Sequence, residues 1–364
     1  MNEIRVIVAD DSALMRRTLK KIIEMDSRLV VIETARDGED AVNKVKELKP
    51  DVVTMDINMP KMDGLTALQI IIEEDICPIV VVSSLSQRGA LTTYEALELG
   101  AFACVGKPGG TVSTNMADVQ KELCDVLYEA ALIGHNGEKL KRLSNKMKTI
   151  KKIRKEEEVL LNEIEVKVKK GGILKAVALG ISTGGPKNIY DVLPLLPKNL
   201  NAAIFVVQHM PPNFTESYAK RLNKYCDMEV VEAKNGMLVE RGVIYIGKGG
   251  YHIRTRKNFN NDLVIRLSRV PKHMFMPSVG IMMESILDSF GENTLGVLMT
   301  GMGDDGANGM VKIKQAGGYT IAEAEETCIV FGMPQEAIKR GGADIVLPSY
   351  KIAKEIINKV GLYK

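Results

Sequence analysis

Residues 4–11 read Ile-Arg-Val-Ile-Val-Ala-Asp-Asp, a short apolar run that ends directly in two carboxylates. This pattern predicts a buried strand whose polar end leaves the sheet. Residues 13–25 then repeat apolar side chains at helical spacing, and residues 29–34 are again typical of a strand. The order strand–helix–strand indicates a parallel α/β unit.

The same alternation continues to residue 131. Further strands are predicted at residues 52–55, 79–82 and 102–105, and further helices at residues 41–48, 65–72, 93–99 and 119–131. Five strands alternating with five helices predict a flavodoxin-like, doubly wound parallel sheet. The alternation resumes after residue 174, with strands predicted at residues 175–181, 202–208 and 295–299. We therefore expect a second doubly wound, parallel-sheet α/β domain.

The chain has 364 residues, more than the roughly 250–300 that one hydrophobic core usually spans. We predict a first domain at residues 1–130, a linker at residues 131–172 and a second domain at residues 173–364. Residues 134–170 contain twelve Lys or Arg against six Asp or Glu. They indicate a charged, partly helical linker, and a nucleic-acid-binding arm is the alternative.

Composition excludes several classes of protein. The net charge of +3 is too small to indicate a nucleic-acid surface. No stretch approaches the roughly 18 apolar residues of a membrane span. The five cysteines form no Cys-x-x-Cys pair, which argues against a zinc site or a disulfide framework. We expect a cytoplasmic protein with no membrane insertion and no nucleic-acid partner.

Five polar residues follow predicted strands of the first domain: Asp10, Asp11, Asp56, Ser83 and Lys107. We expect them to converge, because the carboxyl ends of parallel strands meet at one edge of a sheet. Three carboxylates repel one another unless a divalent cation lies between them, and oxygen ligands with room for water favour Mg²⁺. The set indicates phosphoryl transfer to an aspartate, although an Asp pair alone is more typical of a turn or helix cap.

Residues 1 to about 130 resemble a response-regulator receiver domain. The matching motifs are Asp10-Asp11, Met55-Asp56-Ile57-Asn58-Met59-Pro60, Gly64, Ser83 and Lys107-Pro108. The resemblance implies that Asp56 is the phosphorylation site and that Ser83 and Lys107 bind the phosphoryl oxygens.

The same resemblance implies a metal site. Asp11, Asp56 and the backbone carbonyl of Asn58 would hold Mg²⁺, with Asp10 helping through a water molecule. The sequence departs from the family at Cys104, because an aromatic residue is usual three positions before the lysine.

In the second domain, residues 178–186 place Ser182 at the end of a predicted strand, before two glycines and a proline. Such a strand-to-helix corner exposes the hydroxyl near a helix N-terminus, where developing negative charge is favoured. The same residues are equally compatible with a simple helix cap. A phosphate-binding loop is a third interpretation, but the Gly-Lys-Ser/Thr and Gly-x-Gly-x-x-Gly motifs are absent.

His209 ends the next predicted strand, and Asp304 and Asp305 lie in a glycine-rich loop after a third. Histidine takes and returns a proton near neutral pH, and a carboxylate orients it. A lone histidine in this position is more often structural, and paired aspartates also suggest calcium, although no calcium-loop spacing is present. The chain order Ser, His, Asp differs from the Ser, Asp, His order of α/β-hydrolases.

Residues 173–364 resemble the catalytic domain of the chemotaxis protein-glutamate methylesterases. The matching runs are Ile181-Ser182-Thr183-Gly184-Gly185-Pro186, Gln208-His209-Met210, Tyr245-Ile246, Pro277-Ser278-Val279, residues 300–306 and Gly332-Met333-Pro334. The resemblance implies that Ser182 is the nucleophile, His209 the base and Asp305, rather than Asp304, the orienting acid. It also implies that the Met302 N–H donates to the oxyanion.

Thr183 is implied as a supporting residue. Gly280 departs from the aspartate that is usual after Pro-Ser-Val, and Phe275-Met276 departs from the usual polar pair before it. The two resemblances together imply a serine hydrolase that demethylates chemoreceptor glutamates when a histidine kinase phosphorylates its receiver domain. They leave deamidation of receptor glutamines open, and a monomer is expected.

Two other functions were weighed. A receiver joined to a DNA-binding output domain is disfavoured, because the second half is strand-rich, too long for a helix-turn-helix module and without a basic face. A non-catalytic scaffold of the same fold is the other alternative, and reactivity of Ser182 would distinguish it.

Overall fold

The structure is a computed structural model that describes residues 3–83, 92–93, 95–97, 99–108, 116–135, 174–210, 212 and 214–363. The chain divides into two compact units, Met1–Thr149 and Ile150–Lys364. Most of the predicted linker, from residue 136 onward, lies outside the described residues. The domain boundaries at residues 130 and 173 therefore stay predictions.

Five parallel strands form the sheet of the first unit: β1 (Ile4–Ala9), β2 (Leu29–Ala35), β3 (Val52–Met55), β4 (Ile79–Ser83) and β5 (Ala103–Gly106). Their order is β2-β1-β3-β4-β5. This is the flavodoxin-like order, so the predicted fold class is confirmed for this half of the chain.

The helices of the first unit are α1 (Ala13–Ile23), α2 (Gly38–Leu48), α3 (Gly64–Glu73) and α4 (Met116–His135). The described residues between 92 and 99 are also helical. Ser12, Asp37 and Asp63 cap the first three helices, each accepting a hydrogen bond from a backbone N–H of the first turn. Several predicted bounds were inexact by one to four residues; the largest differences are α2, which begins three residues earlier than predicted, and α4, which extends further at both ends.

Seven parallel strands form the main sheet of the second unit: β6 (Lys175–Ile181), β7 (Ala202–Gln208), β8 (Glu229–Glu232), β9 (Val243–Ile246), β12 (Thr294–Leu298), β13 (Tyr319–Glu323) and β14 (Ile345–Leu347). Their order is β14-β13-β12-β6-β7-β9-β8. The remaining strands, β10 (His252–Lys257) and β11 (Leu263–Ser268), form a separate antiparallel hairpin.

The α-helices of the second unit are α5 (Gly185–Asn188), α6 (Thr215–Leu222), α7 (Val279–Phe290), α8 (Ala307–Gln315), α9 (Met333–Lys339) and α10 (Ser349–Val360). Short 3₁₀ helices occur at Ile189–Asp191, Leu193–Leu195 and Gly291–Asn293. Val279, Met282, Met283 and Ile286 are the core-facing residues of α7 and are buried against the sheet. None of the described helices is long and apolar enough to cross a membrane.

The strand order places a switch point beside β6. From β6 the chain continues to β7, then to β8 at the edge of the sheet and to β9 between them, and later pairs β12 with the other side of β6. Ligands of open α/β sheets bind at such a point, outside the carboxyl ends of the strands. The second predicted sheet is thus confirmed as doubly wound, and its topology indicates where its functional residues should lie.

Candidate functional site

Three carboxylates meet at the carboxyl edge of the first sheet. Asp10 follows β1 and Asp56 follows β3, whose ends are joined by a 2.9 Å hydrogen bond from the Asp56 backbone N–H to the Ala9 carbonyl. One oxygen from each of Asp10, Asp11 and Asp56 lies within 4.8 Å of the others. Asp10 and Asp56 are buried and Asp11 is exposed. The structure therefore brings together the acidic residues that the sequence singled out.

Lys107 is the cation of this cluster. Its Nζ lies 2.7 Å from Asp10 Oδ2 and 2.8 Å from Asp56 Oδ2. Its backbone N–H donates to the carbonyl of Ser83, a buried residue at the end of β4. One lysine leaves three carboxylates with an excess of negative charge, and oxygen donors at this spacing fit a divalent cation.

The buried environment shifts the protonation of Asp56 and Lys107. Burial raises the pKa of Asp56 above its ordinary value, and the bond and charge of Lys107 only partly offset this effect. Burial by itself would lower the pKa of Lys107, but the contacts with Asp10 and Asp56 outweigh it and raise that pKa. The lysine thus stays charged while the Asp56 carboxylate is held in a costly ionised form.

One other residue of the receiver motif, Gly64, is explained by packing. A Cβ at Gly64 would collide with the backbone carbonyl of Asp56, so glycine is required where α3 begins. Asn58 is exposed two residues after Asp56.

Cys104 lies on β5 opposite Val81, and burial raises the pKa of its thiol to about 12. A protonated, weakly polar thiol therefore occupies the position where an aromatic residue is usual.

Ser182, His209 and Asp305 form one chain of hydrogen bonds at the carboxyl edge of the second sheet. His209 Nδ1 lies 3.1 Å from Ser182 Oγ, and His209 Nε2 lies 2.9 Å from Asp305 Oδ2. These residues follow β6, β7 and β12, which are neighbours at the switch point. With its proton on Nε2, the imidazole donates to Asp305 and accepts from the serine hydroxyl, which is the arrangement of an activated nucleophile.

The backbone around Ser182 is closely held. Its N–H donates to the Thr300 carbonyl at 2.9 Å, and its own carbonyl accepts from Gln208 Nε2 at 2.9 Å. Gly184 adopts a φ of +79°, and a Cβ there would collide with Ile329. Glycine is therefore needed for the chain to turn from β6 into α5 and leave the hydroxyl at the corner.

Asp305 is fixed by three donors besides His209. Ser278 Oγ donates to Oδ1 at 2.8 Å, the Val279 N–H to Oδ2 at 2.8 Å and the Gly280 N–H to Oδ1 at 2.9 Å. Burial alone would raise the pKa of Asp305, but the bond and charge of His209, together with these N–H groups, lower it well below its usual range. The carboxylate is therefore ionised and held in one orientation.

The structure also separates the two adjacent aspartates. Asp304 is exposed and pairs with Arg340 at 2.6 Å, whereas Asp305 faces His209. The ideal Cβ of Gly280 lies 3.2 Å from Asp305 Oδ1. A side chain at position 280 would therefore crowd that oxygen. Glycine, which departs from the family pattern here, leaves room for it.

Phe275 covers the imidazole of His209. The two rings are stacked with centroids 4.2 Å apart and an angle of 9° between their planes. The sequence marked Phe275 only as a departure from the usual polar pair, and nothing in its local pattern indicated contact with a residue 66 positions earlier. An apolar ring at this distance shields one face of the histidine from water.

Thr300 links Ser182 to a buried carboxylate that the sequence analysis missed. The Glu323 Oε2 accepts from the Thr300 N–H at 2.7 Å, and Asn188 Nδ2 donates to Oε1 at 2.8 Å. Burial raises the pKa of Glu323 to about 7, although these donors favour its ionised form. The Thr300 hydroxyl also donates to the carbonyl of Thr183 at 2.9 Å.

Met302 lies in the loop that passes beside the nucleophile. A Cβ at its neighbour Gly301 would lie 2.7 Å from Ser182 Cβ, so the two segments are in close contact. Within the part of the chain that the structure describes, the Met302 N–H has no hydrogen-bond acceptor. It is available to a ligand beside Ser182, as the resemblance implies.

His252 was left without a role by the sequence. It is buried, its Nε2 lies 2.9 Å from the Pro271 carbonyl, and its Nδ1 accepts from the Ser278 N–H at 3.2 Å. Burial lowers the pKa of His252, which keeps it neutral. Its contacts are structural, and they position Ser278 behind Asp305.

The two halves of the chain match two known families. Residues 177–356 match the CheB methylesterase family, and residues 6–114 match the response regulator receiver domain family. Both expectations drawn from the resemblance of the sequence are confirmed at the level of family.

Several curated proteins are similar to this chain over nearly its whole length and nearly all of their own. A protein-glutamate methylesterase/protein-glutamine glutaminase of Syntrophomonas wolfei is 55% identical over 98% of this chain and 99% of its own length. Relatives of the same name from Caldanaerobacter subterraneus and Archaeoglobus fulgidus are 49% and 44% identical, over 99% and 97% of this chain and 98% and 97% of their own. The similarity therefore extends over both units and not over one shared domain.

Proposed function

Because the chain belongs to the protein-glutamate methylesterase/protein-glutamine glutaminase family, we propose that it hydrolyses the γ-methyl esters of glutamate side chains on chemoreceptors, under the control of its receiver domain. The observation that supports this most directly is the hydrogen-bonded chain from Ser182 through His209 to Asp305. All three residues follow strands at the switch point of the second sheet, where substrates of such folds bind.

In the first half of the reaction, Ser182 Oγ attacks the ester carbonyl and His209 Nδ1 takes the hydroxyl proton. The C=O electrons move onto the oxygen, where the Met302 N–H is the candidate donor to the oxyanion. When the intermediate collapses, the C–O bond to the methoxy group breaks, and His209 returns the proton so that methanol leaves. The product is a glutamyl ester of Ser182.

In the second half, water attacks the glutamyl ester while His209 again takes a proton. The bond to Ser182 Oγ breaks, the proton returns from His209 to the serine, and the glutamic acid side chain is released and ionises by giving its remaining proton to solvent. Asp305 stabilises the positively charged imidazole in both halves and stays ionised throughout, consistent with its lowered pKa. Thr183 acts as support, because its carbonyl anchors Thr300 beside the nucleophile.

The receiver site is proposed to control this reaction. An Asp56 oxygen attacks the phosphorus of a phosphohistidine on a histidine kinase, the P–N bond breaks, and Lys107 and Ser83 bind the phosphoryl oxygens. Phosphorylation adds nearly two negative charges, and a tenfold activation requires only about 1.4 kcal/mol of bias between two states. The receiver family implies a kinase of this class as phosphodonor.

A magnesium site is proposed at the acidic cluster. Asp11, Asp56 and the Asn58 carbonyl would hold Mg²⁺, with Asp10 acting through water, and the bound cation would neutralise charge on the phosphoryl group. The support is the group of three carboxylate oxygens within 4.8 Å, against which the described residues place one cation, Lys107, in ion-pair contact.

The same serine chemistry suits a second substrate. The carbonyl carbon of a glutamine side chain is at the same position as that of a glutamate γ-methyl ester. In its hydrolysis, ammonia would leave in place of methanol. The names of the relatives include protein-glutamine glutaminase, so we also propose deamidation of receptor glutamines. We further propose that the protein is a cytoplasmic monomer that binds no nucleic acid.

The test is methanol release from methylated receptor by the wild type and by Ser182→Ala, with and without a small-molecule phosphodonor and Mg²⁺. We expect Ser182→Ala to lower the rate by about 10⁶, because the nucleophile is lost. Phosphorylation of Asp56 in that variant serves as the control for folding. Labelling of Ser182 by a fluorophosphonate separates the hydrolase from a non-catalytic scaffold.

Each result has a distinct meaning. Release that requires Ser182 and increases with phosphodonor supports both halves of the proposal. Release that requires Ser182 but ignores phosphodonor retains the esterase and rejects the regulation. Release that is unaffected by Ser182→Ala contradicts the catalytic assignment.

A further inference from the structure

Besides the predicted linker, the chain has a second strongly basic segment, and the catalytic proposal does not use it. Residues 248–273 contain seven Lys or Arg against the single acid Asp262, a net charge of +6. The whole chain has a net charge of +3, so the remainder is net negative. Outside the predicted linker, the positive charge of this protein is therefore concentrated on the β10–β11 hairpin and the residues at its base.

The hairpin presents its arginines on one face. Arg254 and Arg266 are directly opposite each other in the antiparallel ladder, and Arg256 lies two residues along on the same side. The other face is buried, with Ile253 and Thr255 packed toward α7. We call Arg254, Arg256 and Arg266 the arginine face.

The arginine face has no internal counter-charge. Across the described residues, none of its three guanidinium groups lies within 4.0 Å of a carboxylate, and the Nε of Arg254 is buried without a hydrogen-bond partner. Like charges directly opposite each other destabilise a strand pair. An arrangement that costs stability and leaves a buried donor unsatisfied indicates an external anion.

A surface cavity adjoins the arginine face. It has a volume of about 400 Å³, and its walls include Lys234, Lys248, Tyr251 and Arg266. Lys248 is balanced by Glu232 at 3.2 Å, whereas Lys234 and Arg266 form no ion pair with any described residue. Arg266 belongs to both features, so cavity and arginine face form one continuous basic surface.

Hydrogen bonds connect the base of the hairpin to the catalytic residues. His252, the first residue of β10, accepts from the Ser278 N–H, and Ser278 Oγ donates to Asp305. On the other side, the Gly250 N–H donates to the Met276 carbonyl, next to the Phe275 ring that covers His209. The base of the hairpin therefore lies beside the catalytic residues, and the arginine face begins at Arg254, two residues after His252.

The tip of the hairpin adds an apolar anchor. Phe259 is fully exposed in the turn between β10 and β11. Aromatic residues and arginines are the side chains that most often dominate the binding energy of protein–protein interfaces. Their combination on one hairpin favours a protein partner.

We propose that the arginine face and the adjoining cavity form a docking surface for an acidic protein segment, namely the glutamate-bearing helix of the receptor that holds the methylated side chain. This inference rests on the proposed function. Each hydrolysis converts a neutral ester to a carboxylate, so a segment with several such glutamates is rich in negative charge. Complementary charge steers the segment onto the hairpin and presents the ester to Ser182.

The experiment compares two charge reversals in the full-length chain. The test variant is Arg256→Glu/Arg266→Glu, and the matched control is Lys224→Glu/Lys351→Glu, which reverses two exposed lysines outside the hairpin. For each, kcat and KM are measured for methanol release from methylated receptor at low and high salt. Hydrolysis of a small neutral ester, p-nitrophenyl acetate, reports on the catalytic residues alone.

We expect the test variant to raise KM for the receptor about tenfold at low salt, with kcat and small-ester hydrolysis unchanged. The KM of the wild type and of the control should increase as salt increases, because salt screens the attraction. The KM of the test variant should change little with salt. Poly-glutamate should inhibit the wild type and control but not the test variant.

Several results would overturn the proposal. An unchanged KM in the test variant shows that the arginines do not dock the receptor. If methanol release still requires Ser182, the proposed esterase function stands even though the docking proposal fails. If small-ester hydrolysis falls in the test variant, the neutral variant Arg256→Gln/Arg266→Gln is measured in its place. An unchanged KM for the receptor in that variant rejects docking. Salt-resistant binding of duplex DNA that needs these arginines, with KM unchanged, assigns the surface to nucleic acid instead.

Discussion

Asp56 and Asp305 both lie at the carboxyl edge of a parallel sheet, yet their environments are opposite. Asp56 directly follows β3, and Asp305 lies in the loop between β12 and α8. Asp56 shares its site with two other carboxylates and one lysine, and its pKa is raised. Asp305 accepts hydrogen bonds from four residues, and its pKa is lowered.

The difference explains why one fold class supports two chemistries. A carboxylate with few donors and like-charged neighbours is reactive and requires a cation, which suits a phosphoryl acceptor. A carboxylate whose lone pairs are all occupied cannot attack anything and can only orient and stabilise its neighbour. The strand ends determine where the acids lie, and the surrounding donors determine what each acid does.

Among the substitutions that compare the two acids, the largest expected effect tests the orienting role of Asp305. Asp305→Asn should lower kcat for methanol release by about 10⁴, because a neutral amide neither fixes the His209 tautomer nor stabilises its charged form. The matched control is Asp304→Asn, which removes the exposed neighbour and should leave kcat within about twofold of wild type. Equal losses in the two variants would contradict the assignment of Asp305.

The second prediction applies the same substitution to the other acid. Asp56→Asn should abolish phosphorylation and with it the activation by phosphodonor, expected to be about tenfold, while unstimulated methanol release stays unchanged. Removal of Mg²⁺ by a chelator should have the same effect on the wild type and none on unstimulated release. Activation that survives in Asp56→Asn would show that another residue accepts the phosphoryl group.

A smaller effect is expected from Phe275. Phe275→Ala should lower kcat by about two- to tenfold, because a stacked aromatic pair contributes about 0.5–1.5 kcal/mol beyond its buried area. The control is Tyr225→Ala, which removes an exposed aromatic ring that contacts Tyr190. The two variants are compared by steady-state kinetics with methylated receptor. An unchanged kcat in Phe275→Ala would show that the ring contributes to packing and not to catalysis.

The smallest effect concerns stability and has opposite signs at the two acids. The lowered pKa of Asp305 means that its ionised form stabilises the fold above its unfolded pKa, and this stability is lost as the pH falls through the folded pKa. The raised pKa of Asp56 means that stability is present below its unfolded pKa and is lost as the pH rises through the folded pKa.

At neutral pH without Mg²⁺, Asp305→Asn should therefore lower the melting temperature of its transition by a few degrees and Asp56→Asn should raise it. About 1 kcal/mol corresponds to about 2–4 °C for units of this size. Both differences should shrink as the pH falls toward 3, and calorimetry between neutral and acidic pH measures them. Shifts of the same sign in both variants would reject the contrast between the two sites.

The sequence by itself indicated all five strands of the first sheet, but in the second unit only β6, β7 and β12, together with the polar residues that follow these strands. These features are local: apolar periodicity and a glycine or aspartate at a strand end depend on neighbours within a few residues. For this reason Asp10, Asp56, Ser182 and His209 could be selected from the sequence, and the choice of Asp305 over Asp304 needed only the family resemblance as well.

Only the tertiary structure decided which groups meet across long separations. It placed β12 beside β6, turned Asp305 toward His209 and Asp304 toward Arg340, and set Phe275 over the imidazole. It also aligned Arg254 with Arg266 on the outer face of the hairpin. These contacts depend on strand order, register and close packing of distant segments, and none of these is a property of any short stretch of the chain.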